Sequence, residues 1–480
     1  MNYKLIKAAF VGLLPLVATG ASAKVELPEI ISDNAVLQQN SNAKLWGWAK
    51  PGATVKVSPS WDNKSYLAKS DAKSGRWELS VPTPGASFTP YSVTFDDGDG
   101  TEKIDNVLIG EVWFCSGQSN MEMPLRGYGI QPIEGAAQAV AYSGKYPGIR
   151  MANIPKRAAY TPQDKVEGKW KVSNPADAGE FSALAYFFAQ SLTDILNVPI
   201  GIINCAYGGS KVEGWIPKWK LDTYPGWDMD AEEKKDDMGE WERIGVMYNA
   251  MLKPVLGYTV KGFLWNQGES NVGRHDEYPE HQKDMVEIWR DEWGLGELPF
   301  YFVELPGWDY GDPEKDDAAK FRESQHRGAE ILPNSGIVCT TDLVYPYEVP
   351  DIHARKKKEI GERLAFMAAA RTYGINGIPN QYPSYKSVEL KGDKAVLTFN
   401  NATGGLNPNM NLPGFEVAGE DQVFYPAVAT EDWNYPYTVT VSSDKVKDIK
   451  AVRYCFKNFA IGQLKDMYGL PLIPFRTDNW

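Results

Sequence analysis

Val107-Leu108-Ile109-Gly110-Glu111-Val112-Trp113-Phe114-Cys115 runs directly into Ser116-Gly117-Gln118-Ser119-Asn120-Met121. The first nine residues are almost all apolar, the pattern of a strand covered on both faces. They deliver a serine onto a glycine-containing turn at the strand's carboxyl end. Four more apolar runs of strand length follow, at Val198–Cys205, Val260–Trp265, Phe300–Leu305 and Gly336–Thr341. Helical stretches lie between them. Phe181–Leu196 places Leu184, Phe188, Leu192 and Ile195 on one face, and the stretch after His353 does so with Ile360, Leu364 and Met367. Apolar strands alternating with amphipathic helices predict an α/β domain over 106–375, built on a doubly wound parallel sheet. Ligands bind such sheets beyond the carboxyl ends of the strands.

The flanks read differently. Residues 24–105 carry short alternating runs such as Ala43–Trp48 and Thr54–Val57, separated by turn signals at Pro51-Gly52, Ser74-Gly75 and Pro84-Gly85. This predicts a small β-sandwich that packs against the α/β domain. Residues 376–480 return to strands, clearest at Ser387–Leu390, Ala395–Phe399 and Tyr437–Val441. Residues 1–23 resemble an export signal: Lys4 and Lys7, an apolar run from Ala8 to Ala18, then Ala21-Ser22-Ala23. That run is too short to span a bilayer. The expected product is exported, periplasmic or extracellular, without a membrane span, and its mature chain starts at Lys24.

Composition narrows the partners. Fifty basic and 62 acidic residues give a net charge of −12, which disfavours nucleic acid and anionic membranes. Sixteen Trp and 25 Tyr lean towards sugar ligands. The four cysteines, Cys115, Cys205, Cys339 and Cys455, have neither zinc spacing nor a disulfide framework, though one bridge is open to an exported chain. No metal site and no cofactor is expected.

Chemistry should gather at the strand ends. A Gly-x-Ser turn is common, and Met121 stands where a nucleophile elbow would have its last glycine. The backbone amides after such a turn can nevertheless face an anion. The second strand ends in Asn204-Cys205-Ala206-Tyr207-Gly208-Gly209-Ser210, and the third in Trp265-Asn266-Gln267-Gly268-Glu269-Ser270-Asn271. Of four histidines, His275 and His281 lie in a polar helical region and His326 follows Arg322-Glu323-Ser324-Gln325. His353 follows the fifth strand in Pro350-Asp351-Ile352-His353, on the same sheet edge as Ser119. A serine, a histidine and an acid two residues before it can form a nucleophilic triad. The mixed-charge stretch Asp228–Glu242 reads as a solvated loop or helix face.

Taken in order, these pieces resemble the SGNH-type hydrolases, specifically the sialate O-acetylesterase group of carbohydrate esterases. The matching segments are Gly117–Met121, Gly208-Gly209-Ser210, Trp265–Asn271, Phe321-Arg322-Glu323-Ser324-Gln325 and Asp351-Ile352-His353. Val452-Arg453-Tyr454, Gly469-Leu470-Pro471 and Pro474–Asp478 resemble the group too, as does the segment 24–105, so the likeness spans nearly all of the mature chain. It implies a flavodoxin-like sheet and a serine esterase acting on O-acetyl sugars, O-acetylated sialic acid first. Acetylated xylan or another polysaccharide is the alternative substrate, and a non-catalytic sugar-binding protein the alternative class. It also implies Ser119 as nucleophile, His353 as base and Asp351 as its orienting acid. The oxyanion hole would be Ser119, Gly209 and Gln267. Gln118, Asn120, Asn266, Glu269 and Arg322 would contact substrate. The sequence departs from the family pattern in two places. Pro350 occupies the usual acid position three before the histidine, leaving Asp351 or Asp342. Asn266-Gln267-Gly268-Glu269 replaces the usual third block, which leaves the oxyanion amide open. Oligomeric state is not legible.

Overall fold

A computed structural model describes residues 24–480 except 236, 403, 409–410 and 433–434. The expected export signal lies outside the described residues. The amino-terminal region holds β1 (Val36–Gln38), β2 (Asn42–Trp48), β3 (Thr54–Pro59), β4 (Tyr66–Lys69), β5 (Arg76–Pro82) and β6 (Ser87–Asp96). β2 and β5 form one antiparallel layer, and β3 pairs with β4 and β6 in another. Trp77 of the first layer packs on Phe95 of the second at 5.8 Å between ring centroids. Leu45, Trp46, Val55, Val57, Val81 and Val93 complete that buried interior.

β7 (Thr101–Gly117) joins the two parts of the molecule. Its first half pairs antiparallel with β6, and Leu108–Gly110 pairs with β1. Its second half, from Glu111, lies inside a parallel sheet. The division at 105/106 thus falls within one continuous strand. The remaining strands are β8 (Ile149–Asn153), β9 (Trp170–Val172), β10 (Ile200–Ala206), β11 (Gly262–Asn266), β12 (Phe300–Val303) and β13 (Ser335–Val338). The sheet order is β13-β12-β11-β7-β10-β8-β9, parallel except for β9 at the edge. The five strands expected from the apolar runs therefore stand as 2-1-3-4-5, the flavodoxin-like order. The order reverses at β7, so Ser119 emerges at the switch point. β8 and β9 were not expected.

Helices cover both faces. Ala183–Leu196 and Lys357–Arg371 lie on one side, as their apolar faces predict. They approach so closely that a Cβ on Gly361 would sit 2.7 Å from the Phe188 nitrogen. Tyr278–Trp293 and Asp317–Glu330 are two further long helices. Trp289 and Trp293 of the former pack on Phe114 and Phe263 of the sheet. The sandwich interior is continuous with this second face, through Trp46 on Tyr258 at 6.4 Å. The carboxyl-terminal region forms two antiparallel four-stranded sheets around its own core. All four cysteines are free and buried. Among the described residues, no helix is long and apolar enough to cross a membrane.

Candidate active site

β7 ends at Gly117 with φ of +131°, where a Cβ would lie 2.1 Å from the Asn266 carbonyl oxygen. Only glycine lets the two strand ends meet this closely. The Gln118 amide then donates to the same carbonyl at 3.0 Å. Ser119 opens the short helix Ser119–Glu122 and is half-buried. Beside it, Gly208 presents bare backbone: a Cβ there would stand 3.4 Å from that of Ser119. The Gly208 amide is taken by Glu122 Oε2 at 2.7 Å. Among the described residues no backbone carbonyl accepts from the Ser119 amide or from that of Gly209, whose φ is +81°.

The third segment supplies a buried frame. Gln267 Nε2 faces three acceptors, Gln118 Oε1 and the Ser210 carbonyl at 3.1 Å each and Asn271 Oδ1 at 2.7 Å. Its Oε1 accepts from the Tyr278 hydroxyl at 2.9 Å. This carboxamide has no proton left for an oxyanion, contrary to the expectation for Gln267. Gln118 serves the same frame, accepting also from the Gly268 amide at 3.2 Å. Asn266 differs: it pairs with Gly117 at the strand end, and among the described residues its side chain has no hydrogen-bond partner.

His353 lies in the loop before helix Lys357–Arg371. Its Nδ1 is 2.8 Å from Gln131 Oε1, and its ring meets Tyr128 edge-on at 5.3 Å. Gln131 Nε2 points to Asp351 Oδ1 at 3.4 Å. A carboxylate can only accept, so it holds the Gln131 amide with its oxygen towards the histidine. That places the proton on Nδ1 and leaves Nε2 to accept. Burial lowers the His353 pKa to about 4, the Lys357 charge adds to this, and Asp351 opposes it. Asp351 therefore acts through Gln131 instead of touching His353. Its other oxygen is paired with Arg355 at 3.0 Å. Asp342, the fallback acid, is held by both nitrogens of Arg363 at 2.7 Å and by Lys465 at 2.7 Å.

Asn120 connects the two reactive segments. Its Nδ2 donates to the Ile352 carbonyl at 3.1 Å and to Glu269, while its Oδ1 accepts from Lys357. Asn120 and Glu269 are buried structural groups here, not surfaces for substrate. Arg322 is likewise 2% exposed and donates to the carbonyls of Lys457 and Asn458, so it docks the carboxyl-terminal region. Two other histidines have structural partners: His281 sits 2.9 Å from Glu213, and His326 is 2.7 Å from Glu304. The 228–242 stretch reaches the site, which its charge pattern did not reveal. Trp241 is 48% exposed and lies against Gly209, where a Cβ would meet its ring at 2.8 Å. Gln131 and Lys357 were also missed, because both lie outside the quoted strand-end blocks.

Comparisons with known proteins identify the family. The family described as carbohydrate esterase, sialic acid-specific acetylesterase, matches residues 109–370. Sialate O-acetylesterase of Homo sapiens is 28% identical over 401 residues, covering 76% of this chain and 75% of the relative. That of Mus musculus is 26% identical over 445 residues, with 80% of each chain covered. The crystal structure of a carbohydrate acetylesterase from Xanthomonas citri superposes with a TM-score of 0.82 at 34% identity, covering 95% of this chain and all of that one. A half-buried serine at the switch point of a 2-1-3-4-5 sheet, tied to the histidine's loop through Asn120 and Ile352, fits the same chemistry: the chain is a carboxylic ester hydrolase and belongs to the sialic acid-specific acetylesterase family of carbohydrate esterases.

Proposed function

We propose that this enzyme removes O-acetyl groups from sialic acids through an acetyl-serine intermediate, with Ser119 as nucleophile and His353 as base. The observation that carries this is the Asn120 bond to the Ile352 carbonyl. It ties the residue after Ser119 to the residue before His353 and brings two distant segments to one point. His353 Nε2 takes the Ser119 proton as Oγ attacks the acetyl carbonyl. The oxyanion is met by the Ser119 and Gly209 amides, with the unpartnered Asn266 carboxamide as third donor. On collapse the sugar oxygen leaves with the proton from His353, and water then releases acetate by the same route. The half-exposed Trp241 indole offers a stacking face for the sugar beside Gly209.

Acetate release measured over O-acetylated sialic acids and acetylated xylan tests the substrate. Higher kcat/KM on the sialic acids is expected, and preference for xylan would overturn that assignment. The leader pattern in residues 1–23 supports an exported enzyme, and a mature amino terminus at Lys24 would agree with it.

The orienting role moves from Asp351 to Gln131, and the two can be separated. Gln131→Ala should lower kcat about 10²-fold, because the imidazole loses its tautomer and orientation. Asp351→Asn should cost about tenfold or less, because Gln131 remains in contact with His353. Steady-state kinetics of both variants checks this, and the reverse ranking would restore Asp351 as the direct partner.

A further inference from the structure

Lys357 begins its helix against Asn120, the residue after Ser119, and is 1% exposed. Its ammonium donates to Asn120 Oδ1, and Glu269 and Glu348 attract it. Glu348 bonds the Tyr345 amide at 2.7 Å and pairs with Arg355 at 3.1 Å. Glu269 takes the Asn120 Nδ2 through Oε1, while its buried Oε2 has no partner. A buried ammonium joined to a buried carboxylate only through an amide is a costly arrangement. It has one evident geometric result. Lys can only donate, so it faces the Asn120 oxygen and turns the nitrogen towards Glu269 and the Ile352 carbonyl.

We propose that Lys357 is a positioning residue, whose buried charge aims Asn120 so that the Ser119 and His353 segments stay clasped, and keeps the His353 imidazole in its neutral, proton-accepting form. This rests on the reading of Ser119 and His353 as the reacting pair. Burial lowers the Lys357 pKa to about 8, so it is charged through the acid and neutral range. It opposes the imidazolium, alongside burial, while Asp351 favours it. The other neighbours of His353, Gln131 and Tyr128, are neutral there, and Arg355 is paired with Asp351. Removing the Lys357 charge makes the imidazolium easier to form, so the acid limb of kcat/KM moves to higher pH.

Two variants divide the roles. Lys357→Gln keeps a donor for Asn120 without the charge, and Lys357→Met keeps neither. NMR of histidine-labelled protein follows the His353 titration directly, assigned by the resonance lost in His353→Gln. In Lys357→Gln the His353 midpoint and the acid limb should both rise, by roughly half a pH unit or more. In Lys357→Met the same rise should come with a fall in kcat of about 10²-fold at little change in KM. An unmoved His353 titration in Lys357→Gln overturns the proposal, as does a folded Lys357→Met with wild-type kcat. If Lys357→Met does not fold, the Gln variant decides. Full hydrolysis by His353→Gln would instead overturn the assignment of the base, which the titration does not depend on.

Discussion

Ser119→Ala is expected to lower kcat/KM for acetate release by about 10⁴-fold or more while leaving the fold intact. Each factor of ten is about 1.4 kcal/mol of barrier, so about 5.5 kcal/mol of transition-state stabilisation disappears. The loss is large because, in the proposed mechanism, the hydroxyl is the atom that forms the covalent bond, and alanine supplies no replacement. A residual rate persists from the amides of residues 119 and 209 and from substrate binding. The fold should not notice. Ser119 is half-buried, and among the described residues its hydroxyl has no hydrogen-bond partner for alanine to orphan. A melting curve within about 0.5 kcal/mol of wild type is expected. Acetate release and melting on the same preparation check both halves, and a folded variant retaining a tenth of the activity would remove Ser119 as nucleophile.

Gly117→Ala is expected to damage stability and catalysis together. At φ of +131° an L side chain is strained wherever it sits. Here the added Cβ would also lie 2.1 Å from the Asn266 oxygen and 2.6 Å from its carbonyl carbon. These are backbone atoms of β11, so no rotamer relieves the contact. Either β7 and β11 part at their ends or the turn changes course. Strain and overpacking together cost about 2–5 kcal/mol. Parting the strands also breaks the Gln118 amide bond to Asn266 and displaces Ser119 from the bare backbone at Gly208. A displacement of about 1 Å is worth about 10² in rate. Gly129 is the control: its φ is +51°, and a Cβ there meets nothing within 4 Å. Gly129→Ala should pay only for backbone strain, about 1 kcal/mol. Urea midpoints and kcat for the pair decide the matter, and equal destabilisation would show that the close approach of the strands is not what requires glycine at 117.

The reading of the parallel sheet survives contact with the structure because its signal is local. A strand buried on both faces must be apolar throughout, and five such runs are visible without knowing what covers them. β8 and β9 are short strands at one side of the sheet, and Arg150 interrupts β8 where its guanidinium reaches the Asn106 side chain at 3.1 Å. β8 is paired by β10 and β9 in turn by β8, which a linear reading does not supply. Helices Tyr278–Trp293 and Asp317–Glu330 carry many charged residues, several of them buried against partners far along the chain. Arg290 bonds the Pro333 carbonyl at 2.8 Å and Arg322 the carboxyl-terminal region. Polarity that would mark a surface is satisfied inside.

The sequence by itself determined the α/β class, the serine at the end of the first core strand and the histidine after the fifth. Those follow from strand burial and from strand ends that must face one edge. Tertiary structure decided what surrounds them. Gln131 reaches His353 across 222 positions and Lys357 reaches Asn120 across 237, and no spacing rule foretells either pair. Hydrogen bonds are satisfied by whatever donor the folded backbone brings within about 3 Å. The acid near the histidine in sequence was therefore displaced by an amide near it in space, and the amide expected to hold the oxyanion was spent on a buried frame.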